Sequence, residues 1–298
     1  MPDNPVVVAA LIGGLGNQMF QYAVARSLAD RHGASLLLDT SGFENYPFRR
    51  YELGELNIRA DIAQPADLLF FKRRQHMSWL SKTFDRMVSK FHPDVDSRIF
   101  NERAFAYDEN IYQQIPPVYL SGYWQSERYF SDKADAIRVD LSLRRPVDEA
   151  CHVFMESIRN TTSVSLHVRR GDYVSNAVTA RVHGTCSLDY YRAAIAYIAS
   201  SVEDPHFFIF SDDIDWAAYN LRLTHMYTLV DINGVDRGVM DMALMKACRH
   251  HIIANSSFSW WAAWLNPSSD KIVVAPQRWF NEANHDTRDL LPANWVKL

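Results

Sequence analysis

A chain of 298 residues, 48% hydrophobic and 13% aromatic, can bury a large core in one or two domains, which excludes a disordered chain. The formal net charge of −4 offers no bulk attraction to nucleic acid or an anionic membrane, so any anionic ligand must be held by a local cluster. Cys151, Cys186 and Cys248 are odd in number and far apart, with no Cys-x-x-Cys spacing; they read as reduced thiols, neither a disulfide framework nor a metal site.

Val6 to Ile12 is rich in β-branched residues and ends at Gly13-Gly14, the pattern of a buried strand. It is too short to cross a bilayer and lacks the basic leader of a signal peptide, so the chain is expected to be soluble and cytoplasmic. Phe20, Ala23, Val24, Ser27, Leu28 and Arg31 then recur at helical spacing, with Gly33 as the stop. Leu36-Leu37-Leu38-Asp39 follows as a second strand and completes a βαβ opening. From 43 to 120 aromatics and charges mix around Phe70-Phe71, Trp79 and Phe91 and no elements are assigned, except a strand at Val118-Tyr119-Leu120. Lys72-Arg73-Arg74, a short basic run, reads as a solvated face. A charged, helix-like segment after Tyr129 ends at Arg144-Arg145-Pro146, which divides the chain into domains 1–146 and 147–298.

Beyond that point strands are expected near 163–168, 206–211, 226–230, 250–254 and 271–275, with helices at about 187–202, 214–221, 238–248 and 257–265. Alternating β and α at this spacing implies a parallel sheet covered on both faces. The fold class is therefore α/β, two Rossmann-like domains around a cleft.

Four polar strand-end loops carry the chemistry. His167-Val168-Arg169-Arg170-Gly171-Asp172 closes an apolar strand, and guanidinium forks at such a position match phosphate or diphosphate. Paired with Asp172 in a solvated turn, the arginines would instead do nothing special. Gly13-Gly14-Leu15-Gly16-Asn17-Gln18 opens a helix whose N-terminus favours an anion. It half-fits a dinucleotide fingerprint with Asp39 as the ribose acid, but Met19 stands where the third small residue belongs. A nicotinamide-dependent oxidoreductase is thus a rival reading. Asp212-Asp213 ends another strand; either residue can cap the next helix, and Asp213-Ile214-Asp215 also fits the Asp-x-Asp pattern of metal-dependent sugar transferases. Asn255-Ser256-Ser257-Phe258 lies at a fourth strand-to-helix turn, with a plain N-cap serine as the bland alternative. Trp260, Trp261 and Trp264 read as core.

The motifs Gly-Gly-Leu-Gly-Asn-Gln-Met-Phe-Gln-Tyr (13–22), Gly-Tyr-Trp-Gln-Ser-Glu-Arg-Tyr-Phe (122–130), His-Val-Arg-Arg-Gly-Asp-Tyr (167–173), Phe-Ser-Asp-Asp (210–213) and Asn-Ser-Ser-Phe-Ser-Trp-Trp (255–261) occur in this order. Together they make the chain closely resemble the bacterial α-1,2-fucosyltransferases from about residue 6 to 280. The His-x-Arg-Arg element alone is shared with α-1,6- and protein O-fucosyltransferases.

The resemblance implies a GT-B fold, with an acceptor-side N-terminal domain and a C-terminal domain that binds GDP-β-L-fucose. It implies inverting transfer to the 2-hydroxyl of a β-galactoside glycan, without metal or other cofactor, in surface polysaccharide synthesis, at most peripheral to the inner membrane. By the same resemblance Arg169 holds the diphosphate with His167 beside it; these two and Asp172, which is expected to orient an arginine, are the catalytic candidates, and Arg170 joins the donor site. Asp213 reads guanine, leaving Asp212 to the loop or the helix cap. Ser256, Ser257 and Phe258 wrap the nucleotide, while Asn17 lies near the fucose, with Gly14 and Gly16 in the same loop. Some α-1,6 relatives carry a proposed base shortly after Arg-Arg-x-Asp; Ser175-Asn176-Ala177 stands there, so no base carries over. A sugar-nucleotide-binding regulator without catalysis is a further alternative.

Overall fold

Val6–Ala10 (β1), Ser35–Asp39 (β2) and Val118–Ser121 (β5) are short apolar runs, β1 buried on both faces and β2 and β5 buried on one and partly covered on the other, as suits strands of a parallel sheet. Asp61–Ile62 (β3) and Ile99–Asn101 (β4) extend this sheet to five parallel strands in the order β3-β2-β1-β5-β4. Among the described residues three α-helices accompany it: Leu15–His32 (α1), Pro65–Lys72 (α2) and Ala134–Asp140 (α3). The computed structural model describes residues 5–44, 49–72, 98–232, 234, 237–282 and 285–298. Trp79, Phe91 and the Arg73-Arg74 part of the basic run lie outside them.

Helix α1 buries Met19, Phe20, Tyr22, Ala23, Val24 and Leu28 and stops at Gly33. There a left-handed φ of 59° lets the N–H groups of Gly33 and Ala34 reach back to Asp30 and Ala29, closing the last turn. The first strand ends at Ala10, short of the expected Ile12. The N–H of Ile12 turns aside to Gln21 Oε1 (3.0 Å) and the chain leaves the sheet. Polar side chains hold the helix to its surroundings. Tyr22 and Arg26 both reach the buried carboxylate of Asp140, at 2.8 and 3.0 Å.

The chain divides into two compact units, Met1–Leu141 and Ser142–Leu298. In the second, Glu149–Arg159 (α4) leads into Thr162–Val168 (β6). The small helices Gly171–Ser175 (α5) and Ala177–Val182 (α6) follow, then Leu188–Ser201 (α7) and Pro205–Ser211 (β7). After these come Ile214–Leu221 (α8), Tyr227–Leu229 (β8), Gly238–Ala247 (α9) and His250–Ile252 (β9). Ser257–Leu265 (α10), Val273–Ala275 (β10) and Val296–Lys297 (β11) end the chain. The strands form one parallel sheet, β11-β10-β9-β6-β7-β8. Val164, Leu166 and Val168 centre its core against Tyr191, Ala194 and Ile198 of α7. Trp260, Trp261 and Trp264 are core residues, as expected, with Trp260 Nε1 donating to the Leu290 carbonyl (2.9 Å).

Both sheets reverse their strand order: the first between β1 and β5, the second between β6 and β9. In open parallel sheets ligands bind outside the carboxyl ends of the strands at such reversals. Those ends are where the glycine-rich, Gly-Tyr-Trp-Gln, Arg-Arg and Asn-Ser-Ser segments emerge.

Candidate active site

Parallel register assembles the second unit's site. His167 pairs with Phe210 and Val168 with Ser211, so the residues that follow, Arg169-Arg170 and Asp212-Asp213, leave the sheet side by side. Arg169 Nη1 meets Asp212 Oδ2 at 2.9 Å and its Nη2 meets Asp172 Oδ1 at 2.5 Å. Arg170 Nε meets Asp213 Oδ2 at 3.0 Å, its backbone N–H donates to Asp212 Oδ1 (2.7 Å), and its guanidinium lies 3.9 Å over the Trp216 ring. Gly171 is required by this packing: a Cβ there would stand 2.5 Å from Asp212 Oδ2.

Two guanidiniums thus face three carboxylates. Burial alone would disfavour the charge on Arg169, but Asp212 and Asp172 outweigh it and raise its pKa. The arginines are held in a paired lattice from the outset, and an incoming phosphate must compete with carboxylates for them. Neither arginine is a free cation.

His167 is buried, and burial, with the neighbouring Arg169 charge, pushes its pKa down to about 3. The ring is therefore neutral at physiological pH; it packs 5.5 Å from Phe258, and its Nδ1 has no hydrogen-bond partner among the described residues. Phe258 follows the fourth loop, where Ser256 is the N-cap of α10 and accepts from the Phe258 N–H (3.4 Å). Ser257 is the first residue of that helix. The Tyr173 hydroxyl donates to the Asn255 carbonyl (3.3 Å), joining the Arg-Arg segment to this loop.

Asp213, not Asp212, caps α8, accepting from the Trp216 N–H (3.3 Å). It stands immediately before the first helical residue, the position from which a carboxylate reaches the third N–H, while Asp212 is turned toward the arginines. Asp213 therefore already has both oxygens engaged.

Asn255, Tyr173, His183 and Trp216 belong to the same edge but are absent from the site residues chosen on sequence. Asn255 Nδ2 reaches the carbonyls of His183, Gly184 and Trp279, each at 3.1 Å, and Cys186 Sγ donates to its Oδ1. The His183 ring stacks on Tyr173 at 4.9 Å. Tyr173 and Asn255 lie inside motifs quoted above, so adjacency was their available signal; His183 and Trp216 carry none. All three cysteines are free thiols.

The first unit collects Gly14, Gly16 and Asn17 at the start of α1. Gly14 is the N-cap, with its carbonyl accepting the N–H groups of Asn17 and Gln18, and Gly16 is buried in the first turn. Asn17 Oδ1 accepts from Gln125 Nε2 (2.9 Å). Gln18 is a brace, spanning the Gly13 and Arg50 carbonyls and the Glu52 N–H. Asp39, the ribose acid of the oxidoreductase reading, is buried and bonded to the Tyr119 hydroxyl (2.7 Å) and the Ser41 N–H (3.0 Å). It is a structural group.

The family model for glycosyl transferase family 11 matches residues 6–298. The chain belongs to that family. An alpha-1,2-colitosyltransferase of Escherichia coli is 35% identical over 98% of this chain and 99% of its own length. The O-antigen biosynthesis glycosyltransferase WbnK of Escherichia coli is 32% identical over 97% and 99%. A galactoside 2-alpha-L-fucosyltransferase, SEC1, of Bos taurus is more distant, at 26% over 89% and 66%. Among solved structures, the fucosyltransferase NodZ from Bradyrhizobium shares the fold, with a TM-score of 0.52 at 16% identity over 89% of this chain and 94% of that one. This family 11 chain is therefore a glycosyltransferase of two parallel-sheet α/β units, and the oxidoreductase reading falls. Among its described residues no helix is long and apolar enough to cross a membrane.

Proposed function

We propose that this family 11 enzyme moves L-fucose from GDP-β-L-fucose, with inversion, to the 2-hydroxyl of a β-galactoside, forming an α-1,2 linkage in surface polysaccharide synthesis. One observation carries the reading: Arg169 and Arg170 are locked side by side at the strand-order reversal of the second sheet, where a leaving diphosphate would develop charge. The family and the α-1,2 linkage named in two relatives support it.

In this reading the second unit holds the donor. Arg169 and Arg170 take up the diphosphate, with Asp172 and Asp212 orienting the Arg169 fork. Asp213 accepts the N1–H and 2-amino donors of guanine, exchanging its Arg170 or backbone contact to do so. Ser256, Ser257 and Phe258 line the nucleotide, with neutral His167 behind them. The first unit, with Gly14, Gly16 and Asn17, serves the sugar and acceptor. Guanidiniums and helix-terminus N–H groups do the work a metal does elsewhere.

The test is GDP release with GDP-β-L-fucose and a panel of β-galactosides, followed by NMR of the product linkage. Binding of GDP without turnover on any acceptor would leave only the regulator. A second donor merits the same assay, because the relative of 35% identity is a colitosyltransferase and colitose is L-fucose without its 3-hydroxyl. Faster transfer from GDP-colitose would reassign the sugar while keeping the site.

A further inference from the structure

The segment after β5, Gly122 to Ser126, emerges at the strand-order reversal of the first sheet, beside the N-terminus of the long helix α1. Trp124 has a φ of 58°, a left-handed conformation that bulky residues avoid. It is held there by Glu102, whose two carboxylate oxygens accept the N–H groups of Tyr123 (2.7 Å) and Trp124 (2.9 Å). The buried indole stacks on Phe100 at 5.9 Å, and a Cβ on Gly122 would strike Glu102 at 2.4 Å.

The turn delivers Gln125, which is only 7% exposed. Its Nε2 donates to Asn17 Oδ1 in the first turn of α1, and its Oε1 is buried with no hydrogen-bond partner among the described residues. The other buried amides of this edge are used at both ends. Gln18 bonds two carbonyls and one N–H, and Gln21 takes the Ile12 N–H while donating to the Gly122 carbonyl. A buried carboxamide satisfied on one side is unfavourable unless something else completes it. Being on the same carbon as Nε2, Oε1 lies within about 5 Å of Asn17, given ordinary hydrogen-bond lengths. Tyr123, two residues earlier in the same turn, is exposed. An amide oxygen with an open acceptor position takes a hydroxyl donor, the group a sugar presents.

We propose that Gln125, positioned by Asn17 and the Glu102-held turn, accepts a hydrogen bond from a hydroxyl of a hexose bound at the carboxyl edge of the first unit, and so selects for that hydroxyl. The inference rests on the transfer reaction proposed above. A hydroxyl of this kind is present both on the transferred sugar and on the acceptor galactoside, and the assay separates them.

The full-length enzyme, Gln125→Leu and Gln125→Glu are compared by steady-state kinetics. The substrates are GDP-L-fucose with its 3-deoxy and 4-deoxy counterparts, and methyl β-galactoside with its monodeoxy forms other than at the reacting 2-position. The parent enzyme should lose at least about tenfold in kcat/KM on one deoxy substrate, since a site built to bond a hydroxyl rejects the analogue lacking it. Gln125→Leu should lose a similar factor on the full substrate and become indifferent to that deletion, as a shared interaction demands. Gln125→Glu, which keeps an acceptor oxygen, should restore the discrimination. A deoxy donor that singles out Gln125 assigns the hydroxyl to the transferred sugar; a deoxy acceptor assigns it to the galactoside. If folded Gln125→Leu discriminates as the parent does, the inference is overturned. If that variant does not fold, a parent enzyme for which no deletion costs more than about twofold overturns it equally. Failure of the parent to bind GDP or turn over any donor would instead sink the functional reading beneath it.

Discussion

Acid should destabilise the second unit through two histidines, His251 and His167. His251 is fully buried between Ser165 Oγ, 2.8 Å from Nδ1, and Asn266 Nδ2, 3.0 Å from Nε2. Asn266 Nδ2 also donates to the Cys248 carbonyl, so it faces His251 as a donor and makes Nε2 an acceptor; Nδ1–H then points to Ser165. A second proton has nowhere to go without opposing two N–H groups. Burial, with Lys271 and His250 nearby, pushes the pKa of His251 down to about 3, and burial beside Arg169 does the same for His167. Unfolded, both would titrate near 6.5. The unfolded chain therefore binds more protons below that value, and folding stability falls as pH falls. Between pH 7.5 and 5.5 each histidine should remove about 1.4 kcal/mol and the pair about 2.7 kcal/mol, because the unfolded proton affinity sets the figure for any native pKa below about 4.5. Urea unfolding at the two pH values, followed by emission of the buried tryptophans around Trp260, measures this directly. Replacing His251 with glutamine should remove its share of that change, about 1.4 kcal/mol. A transition whose free energy changes by less than about 1 kcal/mol over this range would refute the argument that both rings are neutral and trapped.

Other outcomes concern the reaction. Arg169→Ala should fold but lose on the order of 10²–10³ in kcat, and Arg169→Lys should also be poor because the fork that spans Asp172 and Asp212 is gone; near-normal turnover by the lysine variant would count against bidentate recognition. Asp213→Asn should weaken GDP binding by about tenfold in calorimetry, a loss of about 1.4 kcal/mol. It should barely change stability, since asparagine caps a helix as well as aspartate does; if Asp212→Asn alone weakens GDP binding, the two neighbours have exchanged roles. Transfer should survive dialysis against excess EDTA if, as proposed, guanidiniums rather than a cation meet the diphosphate; rescue by Mn²⁺ would restore the Asp-x-Asp reading.

The sequence announces the second sheet clearly and the first only in part. Buried parallel strands are continuous apolar runs, so Thr162–Val168 and Pro205–Ser211 stand out between polar ends and fall within a residue of expectation. Val273–Ala275 is shorter than expected, yet still found by its β-branched run. Asp61–Ile62 is two exposed residues and has no run to read. The helix Glu149–Arg159 is a different omission. Cys151, Met155 and Ile158 sit at helical spacing behind an Asp148 cap, a legible signal placed just where the charged run around Arg144-Arg145 draws attention.

The site shows a deeper limit. Motifs list side chains along the chain, whereas charge balance is set across strands. Along the chain only Asp172 stands near Arg169 and Arg170, and the register of β6 against β7 adds Asp212 and Asp213. That register follows from which apolar faces pack together, over segments separated by the three helices α5, α6 and α7, and no local spacing encodes it. The consequence is chemical. In the proposed reaction, arginines already fixed by carboxylates would lose little conformational freedom when a diphosphate arrives, so their geometry would be set before the bond breaks. They would bind the donor's ground state less tightly than free cations, because each new phosphate contact would replace an existing one. Both effects favour stabilisation of charge that grows during the reaction over charge already present in the donor. A paired arginine cluster is thus better suited to a leaving diphosphate than the bare Arg-Arg the sequence displays.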